Sequence, residues 1–273
     1  MLIIGIAAGF VGSLTGLGGA VVILPALVLL FGTPIQYATG ASLVSTIATS
    51  SGAAAAYVKD RISNIRIGMS LEVGTTLGAI GGALLAAFVY SHNLSFIILI
   101  AFGIVLLSSV YGVLRHKENF RRMREDWSTR LFQLRGDYYD SASKRRIRYT
   151  GVRWWFGEIV MFFAGIISGL LGIGSGVLKV LAMDSGMNLP IKVSTATSDF
   201  MIGVTAVTGS AIYWALGYIE PLLVAPIIIG VIIGSYFGSK VMKKTQSNSI
   251  RMIFALVLTV IAVEMIIRGV TLI

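Results

Sequence analysis

The chain has 273 residues, of which 56% are hydrophobic and only 12% are charged, and its mean hydropathy is +0.86. Because soluble domains carry about 25% charged residues, this composition indicates a membrane protein. The chain has no cysteine, which excludes disulfide bonds, thiol catalysis and thiolate metal ligands. A net charge of +10 would suggest nucleic-acid binding in a soluble protein. In a membrane protein we assign this charge to topology and predict no nucleic-acid partner.

Several apolar runs reach the roughly 18 to 20 residues that a helix needs to cross a bilayer. They are Leu2–Phe31, Ile67–Tyr90, Ser95–Leu114, Pro221–Ser239 and Ile250–Ile267. The first run has no basic segment before it and continues past Pro25, so we expect no cleavable signal peptide there. These runs predict an all-α polytopic protein that crosses the cell membrane several times, with the lipid bilayer as its surroundings.

The segment 115–153 is hydrophilic and basic. It holds 12 of the 22 lysines and arginines and five of the 12 acids, which predicts a cytoplasmic loop. Apolar residues recur in it at helical spacing, namely Phe120, Met123, Trp127, Leu131 and Leu134. We therefore expect an amphipathic helix, which could lie on an anionic membrane surface, on the cytoplasmic face of the protein or on a second subunit.

The chain contains an internal repeat. A shift of 156 residues aligns Gly9–Tyr57 with Gly165–Tyr213 without a gap, and 13 of the 49 aligned pairs are identical. The same shift superposes three glycines spaced four apart on three others, Gly74, Gly78 and Gly82 on Gly230, Gly234 and Gly238. The repeat predicts a first transmembrane unit at 1–114, the basic loop at 115–153 and a second transmembrane unit at 154–273.

The charges of corresponding loops favour an inverted arrangement of the two halves. Residues 58–66 carry three basic side chains, whereas their counterpart at 216–221 carries only Glu220. Residues 91–94 have no lysine or arginine, whereas their counterpart at 240–251 is basic. Such opposite preferences are typical of the inverted repeats of secondary transporters. The alternative is a parallel arrangement with four simple spans in each half.

An inverted half needs an odd number of crossings, which constrains residues 2–57. As helix they would measure about 84 Å, whereas three crossings need about 90 Å before any turn. One full span and a hairpin that enters and returns therefore fit this segment better. The spacing of the glycines at 74–82 and 230–238 instead indicates close helix packing, which is also compatible with a homodimer.

The stretches "GSLTGLGGA" at 12–20 and "SGLLGIGSG" at 168–176 are glycine-rich. They lack the lysine and hydroxyl of a phosphate loop and the soluble strand of a dinucleotide fingerprint. Glycine costs about 1 kcal/mol against alanine within a helix, so we predict a broken or re-entrant helix whose free amides face an anion. The alternative is packing alone. The candidate residues are Gly16, Gly18, Gly19, Gly172, Gly174 and Ser175.

A second shared cluster is "PIQYATGAS" at 34–42 and "PIKVSTATS" at 190–198. Its hydroxyls, on Thr39, Ser42, Thr195 and Ser198, could bind an oxyanion or could bond to their own helix backbone. Lys192 could attract the anion or extend to the membrane interface, and Asp199 is the candidate coupling residue. We expect Lys179 either to pair with Asp184 or to lie near a surface, and we interpret Glu72 and Glu264 as boundary residues.

The glycine-rich opening, the downstream proline, the "TGAS" turn and the duplicated copy resemble the TauE/SafE family of sulfite exporters. The resemblance covers nearly the whole chain except 115–153, which is long for the pattern. It implies transport of small sulfur-containing anions, such as sulfite, thiosulfate, sulfoacetate and other organosulfonates. The second copy departs from the first at Leu181, Met201 and Ile202, where the first has proline, serine and threonine. The halves of any site are therefore not chemically equivalent.

These observations together predict a secondary transporter, an exporter, of a small sulfur-containing oxyanion. Its substrate would lie between the repeats at the midplane, and access would alternate. The alternative is a cation-coupled or proton-coupled antiporter or channel that uses Asp199. We expect no enzyme, because Ser175 would need a base and the two histidines, His92 and His116, lie in loops. We expect no cofactor and no metal site.

Overall fold

The computed structural model of the chain describes residues 1–16, 18–92, 94–115, 125–141, 143–245 and 247–271. The helices of the first half are α1 (Leu2–Thr15), α2 (Ala20–Phe31), α3 (Ile35–Lys59), α4 (Ile65–Ser91) and α5 (Ser95–Arg115). Between the halves lie a short helix and a β-hairpin, α6 (Trp127–Leu131), β1 (Arg135–Asp140) and β2 (Arg145–Thr150). The helices of the second half are α7 (Trp154–Leu171), α8 (Gly176–Leu181), α9 (Ile191–Ala215), α10 (Pro221–Lys244) and α11 (Ser247–Thr271), and a π-helical turn at Ala182–Gly186 follows α8.

The first apolar run is two helices rather than one. Helix α1 ends at Gly16, and Gly16, Gly18 and Gly19 have φ angles of 78°, 77° and 71°, in the left-handed region that favours glycine. Gly19 then lies beside Gly12 and Ala8 of α1. A continuing helix would carry it further away from these residues, so the chain reverses its direction here. We call α1 and α2 the first hairpin.

The second half repeats this reversal. Gly172 and Gly174 have φ angles of 70° and 68°, and Ser175 has a φ of 54°. The π-helical turn then returns to the beginning of α7, where the amide of Val152 donates to the carbonyl of Met187 over 3.1 Å. We call α7, α8 and this turn the second hairpin.

Helices α3 and α9, each of 25 residues, are repeat counterparts that pack in opposite directions. Near the beginning of α3, the Tyr37 ring contacts the Tyr218 ring just beyond the end of α9, with 5.9 Å between ring centroids. Just beyond the end of α3, the amide of Asn64 donates to the hydroxyl of Thr197, near the beginning of α9, over 3.0 Å. Each helix therefore begins where its counterpart ends.

The glycines spaced four apart lie where helices of different halves touch, as their spacing predicts. Helix α1 runs along α10, and a Cβ at Gly234 would overlap the backbone of Ile6. The counterpart helices α7 and α4 pack in the same way, and a Cβ at Gly82 would overlap the backbone of Ile166. Each hairpin is thus packed mainly against a helix of the other half.

The outer surface of the helices is apolar, as a bilayer requires. Among the described residues, α4, α7 and α10 are long and apolar enough to cross a membrane. Their outward side chains include Leu77, Phe88, Phe163, Ile233 and Phe237, all of which are exposed. Because exposed apolar surface on this scale is costly in water, the fold fits a lipid environment.

The described part of the segment 115–153 contains a β-hairpin that the sequence did not predict. Phe120 and Met123 lie outside the described residues. Helix α6 has only five residues, with Trp127 and Leu131 mostly exposed, and Leu134 is buried beyond its end. The chain then forms an antiparallel hairpin in which Arg135 faces Thr150 and Asp140 faces Arg145. Five apolar residues at helical spacing gave no sign of the alternating burial of β1, and the amphipathic helix stays a prediction for the segment as a whole.

Asp126 holds the described part of this loop together. Its carboxylate accepts hydrogen bonds from the amides of Thr129 and Arg153, each over 2.8 Å, and from the hydroxyl of Ser128 over 2.7 Å. Burial alone would raise the pKa of this carboxyl, but the hydrogen bonds lower the pKa to about 2. The ionised side chain therefore ties the beginning of α6 to the beginning of α7.

Candidate functional site

The turn of each hairpin is hydrogen-bonded to a serine of the opposite half. The hydroxyl of Ser42 on α3 donates to the carbonyl of Gly172 over 2.6 Å. The hydroxyl of Ser198 on α9 donates to the carbonyl of Gly16 over 3.0 Å. A shift of 156 residues converts one bond into the other, so the two contacts are the same interaction made twice.

The glycines of both turns converge on one region between α3 and α9. A Cβ at Gly18 would lie 2.9 Å from the Cγ2 methyl of Thr46, and so would a Cβ at Gly174. The side chain of Ile202 lies against both of these glycines as well. The structure thus brings the two predicted glycine clusters together, and their residues are buried.

The predicted hydroxyls on α3 and α9 are buried near these turns, but they differ in hydrogen bonding. Thr39 donates to its own helix, to the carbonyl of Ile35 over 2.7 Å, and its hydroxyl lies 3.1 Å from that of Tyr90. Its counterpart Thr195 lies against Gly16, and no partner for its hydroxyl is found within the described residues. A buried hydroxyl without a partner is uncommon, and of the four predicted hydroxyls Thr195 is the one for which no partner is described.

Asp199 is the buried acid that follows Ser198 on α9. Its side chain is fully buried, and within the described part of the chain neither carboxylate oxygen has a hydrogen-bond partner. It lies within electrostatic range of the phenol of Tyr57, which itself donates to the carbonyl of Ser13 over 2.7 Å. The repeat counterpart of Asp199 is Leu43. A buried carboxylate without a hydrogen-bond partner is costly, and binding of a proton or a cation would remove that cost.

Lys192 is held by a partner that the sequence did not reveal. Its ammonium lies 2.6 Å from a carboxylate oxygen of Asp140 at the end of β1, and 3.4 Å from the carbonyl of Lys243. Both side chains of the ion pair are almost fully buried. The charge of Lys192 is therefore engaged with the β-hairpin in this structure, and the pair fastens that hairpin to the beginning of α9.

The structure corrects the interpretation of Glu72 and Lys179. Glu72 does not lie at a helix boundary, and Lys179 does not lie at a surface: both are buried, and their charged atoms are 3.3 Å apart. The hydroxyl of Thr205 contacts both charged groups. A sequence signal did exist, because the repeat counterparts of these two charged residues are the apolar Ile228 and Ile23.

Comparisons with known proteins identify the family of the chain. The model of the sulfite exporter TauE/SafE family matches residues 1–265. The chain belongs to the TauE/SafE family. Similar relatives include the probable membrane transporter protein YunE of Bacillus subtilis (strain 168), which is 30% identical over 284 residues, 99% of this chain and 97% of the relative. No solved structure matches the chain.

Two further relatives of this TauE/SafE protein carry the same kind of name. The probable membrane transporter protein YdhB of Bacillus subtilis (strain 168) is 26% identical over 88% of this chain and 86% of its own length. The probable membrane transporter protein MJ0441 of Methanocaldococcus jannaschii is 23% identical over 97% of this chain and 94% of its own length. Family and relatives thus indicate a membrane transporter rather than an enzyme.

Proposed function

We propose that this TauE/SafE protein is a secondary transporter that exports a small sulfur-containing oxyanion, such as sulfite or an organosulfonate, across the cell membrane. The observation that carries the proposal is the reciprocal bonding of the two hairpin turns, Gly16 to Ser198 and Gly172 to Ser42. Transporters with inverted repeats bind substrate at such an interface, where broken helices meet at the midplane. We assign 1–114 and 154–273 to the two transmembrane repeats and 115–153 to the cytoplasmic loop.

The opposite directions of α3 and α9 support an inverted repeat. Parallel copies of one unit would place counterpart helices in the same direction relative to the membrane. In this protein, the beginning of each of these helices lies beside the end of the other. The two hairpins would then be re-entrant segments that enter from opposite faces of the bilayer, and each would end near its centre.

The hairpin turns offer the groups that an oxyanion needs. Within the described residues, no backbone hydrogen bond is found from the amides of Gly18, Gly174 or Ser175. The unpaired hydroxyl of Thr195 lies beside the first turn. Amides and hydroxyls donate to anions, and those that lack a partner lose none when a ligand binds. Lys192 would join this site only if it left Asp140.

The contacts also support alternating access. Ser42, Ser198 and the turns are buried, so this conformation is closed at the site. Movement of one hairpin away from the facing helix would break one serine bond and leave the other intact. The freed serine would then face the substrate from one side of the membrane only. The same movement of the other hairpin would open the site to the other side of the membrane.

The test is binding and export by the purified protein in liposomes. We expect sulfite or sulfoacetate to bind in calorimetry, and Ser42→Ala and Ser198→Ala to reduce export at least severalfold. The matched control is Ser51→Ala, whose exposed hydroxyl donates only to its own helix. Absence of binding, together with normal export by both variants, would refute the proposal.

Asp199 supports a second candidate, a cation-coupled or proton-coupled antiporter or channel. The observation that favours it is the buried carboxylate without a described partner. Flux would then depend on a cation or proton gradient rather than on sulfur-containing anions. Asp199→Asn would abolish that dependence. An oxyanion uniporter would show no response to a cation or proton gradient, either in wild type or in Asp199→Asn.

A further inference from the structure

A buried ion pair joins the two halves beside the second hairpin. Glu72 lies on α4 of the first half, and Lys179 lies on α8, the returning arm of the second hairpin. The ammonium and the carboxylate are 3.3 Å apart, and their side chains are 0% and 6% exposed. The hydroxyl of Thr205 on α9 contacts both groups. Three elements therefore meet at one charged centre within the membrane part of the protein.

The fold itself does not require charges at this centre. Replacing a buried ion pair by apolar residues of similar volume is often neutral or stabilising. This protein carries out that replacement in its own repeat, because the counterparts of Lys179 and Glu72 are Ile23 and Ile228. The repeat-related positions, Ile23 on α2 and Ile228 on α10, are thus both apolar. The charges of this centre, one from each half, therefore call for a function rather than a structural explanation.

The ion pair lies at the level of the hairpin turn. Lys179 follows Ser175 by one helical turn, and its amide donates to the carbonyl of Ser175 over 3.0 Å. Thr205 is the counterpart of Thr49, whose hydroxyl would be 2.9 Å from a Cβ at Gly19, the last glycine of the first turn. In the proposed movement of the second hairpin, the buried ammonium of Lys179 would therefore travel with the second turn.

Few other titratable groups face this centre. Among the described residues, helix α7 contributes Glu158, which lies within electrostatic range of Glu72. One oxygen of Glu158 accepts from the amide of Gly74 over 2.8 Å, and the other is buried without a partner. Helix α9 contributes the hydroxyl of Thr205, and α4 itself adds the hydroxyl of Thr76, 3.4 Å from Glu72.

We propose that Glu72 is the proton-binding group and Lys179 the anion-binding group of the transporter, and that the two bind proton and substrate together. This inference rests on the proposed function. A proton from water would bind a carboxylate oxygen of Glu72 and remove its negative charge. Lys179 keeps its own proton, and its positive charge is then balanced by one negative charge of the substrate. In the closed structure, Glu72 occupies the place of the anion.

The test measures how the affinity for methanesulfonate depends on pH, because this probe keeps one negative charge throughout. Methanesulfonate is titrated calorimetrically into the full chain in lipid nanodiscs, from about pH 5 to about pH 9 in steps of about one pH unit. If one proton binds with each anion, the wild-type affinity rises by up to about tenfold per unit fall in pH. Glu72→Gln, which mimics the protonated acid, should bind tightly at every pH.

Matched variants separate this role from a loss of charge or of structure. Lys179→Gln should lose at least about tenfold in affinity at low pH, and Lys179→Arg should keep most of it. The controls are Glu220→Gln and Lys240→Gln, which remove exposed charges elsewhere and should behave as wild type. Elution as a single species on size exclusion shows that each variant is folded.

Every outcome decides the question. The inference is overturned if the wild-type affinity does not change with pH, or if Glu72→Gln keeps the wild-type pH dependence. In either case, the proposed function stands as long as methanesulfonate binds. If chloride or acetate binds with a pH dependence that Glu72→Gln abolishes, the roles of Glu72 and Lys179 are supported. The sulfur-containing substrate class is then refuted. If no anion binds at any pH, both fall. Should Glu72→Gln not fold, the wild-type profile and Lys179→Arg remain decisive.

Discussion

Replacement of Gly172 by alanine probes the contact between the second hairpin and α3 directly. Gly172 has a φ of 70°, a conformation that costs any L-residue about 1–2 kcal/mol. Its Cβ would also overlap the Cγ2 methyl of Thr39 and lie 3.0 Å from the Ser42 hydroxyl and from the Thr39 carbonyl. Crowding of a well-packed interior costs about 1–3 kcal/mol. We therefore expect Gly172→Ala to lower the free energy of unfolding by about 2–5 kcal/mol.

Gly217 provides the matched control. Its φ of 74° is nearly the same, but a Cβ there would meet nothing within 4 Å. Gly217→Ala should therefore lose only the conformational part, about 1–2 kcal/mol. Both variants are measured by denaturant unfolding in detergent, followed by circular dichroism, so that the difference between them reports the packing of the turn alone.

A second substitution locates the crowding at one atom. Thr39→Ser removes the Cγ2 methyl but keeps the hydroxyl that donates to Ile35. It should restore part of the stability lost by Gly172→Ala, with a coupling energy above about 0.5 kcal/mol, as found for residues in contact. Equal losses for Gly172→Ala and Gly217→Ala, together with no coupling to Thr39, would refute the reasoning that this turn is packed against α3.

Three further predictions concern hydrogen bonds and charge. Ser198→Ala leaves a buried carbonyl without its donor and should cost about 1–3 kcal/mol in the same unfolding assay, whereas Ser51→Ala, at an exposed site, should cost almost nothing. Because the pKa of Asp126 is about 2 in the folded loop, below the unfolded value, its stabilisation is present above about pH 4 and is lost as the pH falls towards about 2. Proteolysis of the loop in wild type should therefore increase as the pH falls over this range. Asp126→Asn should already show this increased proteolysis at neutral pH. Lys192→Met alone removes the cation that balances the buried charge of Asp140 and should destabilise by about 3–5 kcal/mol, and the added change Asp140→Leu should recover most of that loss in a double-mutant cycle.

The sequence predicted the parts of the structure that depend on local pattern. Glycines clustered at 16–19 and 172–174 indicated a break in the helix, and the chain does leave the helical conformation there. The glycines four residues apart at 74–82 indicated close helix packing, and those glycines do lie against the backbone of a neighbouring helix. Such signals are readable because the conformational freedom of glycine belongs to the residue itself, whatever its distant neighbours.

Pairings between distant residues were beyond the reach of the same reasoning. Lys192 and Asp140 are 52 residues apart, and Glu72 and Lys179 are 107 apart. Spacing along the chain says nothing about such a pair, because the fold alone determines which helices meet. The nearest usable signal was a comparison of the two repeats, in which a charge of one half replaces an apolar residue of the other.

The two halves share their hydrogen bonds but not their charges, and this difference bears on how such a protein could be coupled. Two identical halves would make the two openings of the site equal in energy, since each breaks one serine–carbonyl bond. In this chain, the buried ion pair of Lys179 with Glu72 lies beside the second hairpin, whereas the repeat-related positions hold the apolar Ile23 and Ile228. A change of protonation can act only where an ionisable group exists. Protonation of Glu72 would therefore shift the energy of the second hairpin more than that of the first, and a ligand or proton biases two states only through such a difference. In the proposed mechanism, the equivalent serine–carbonyl bonds make both openings accessible. Protonation then lowers the energy of one opening relative to the other, because the charges of the two halves differ.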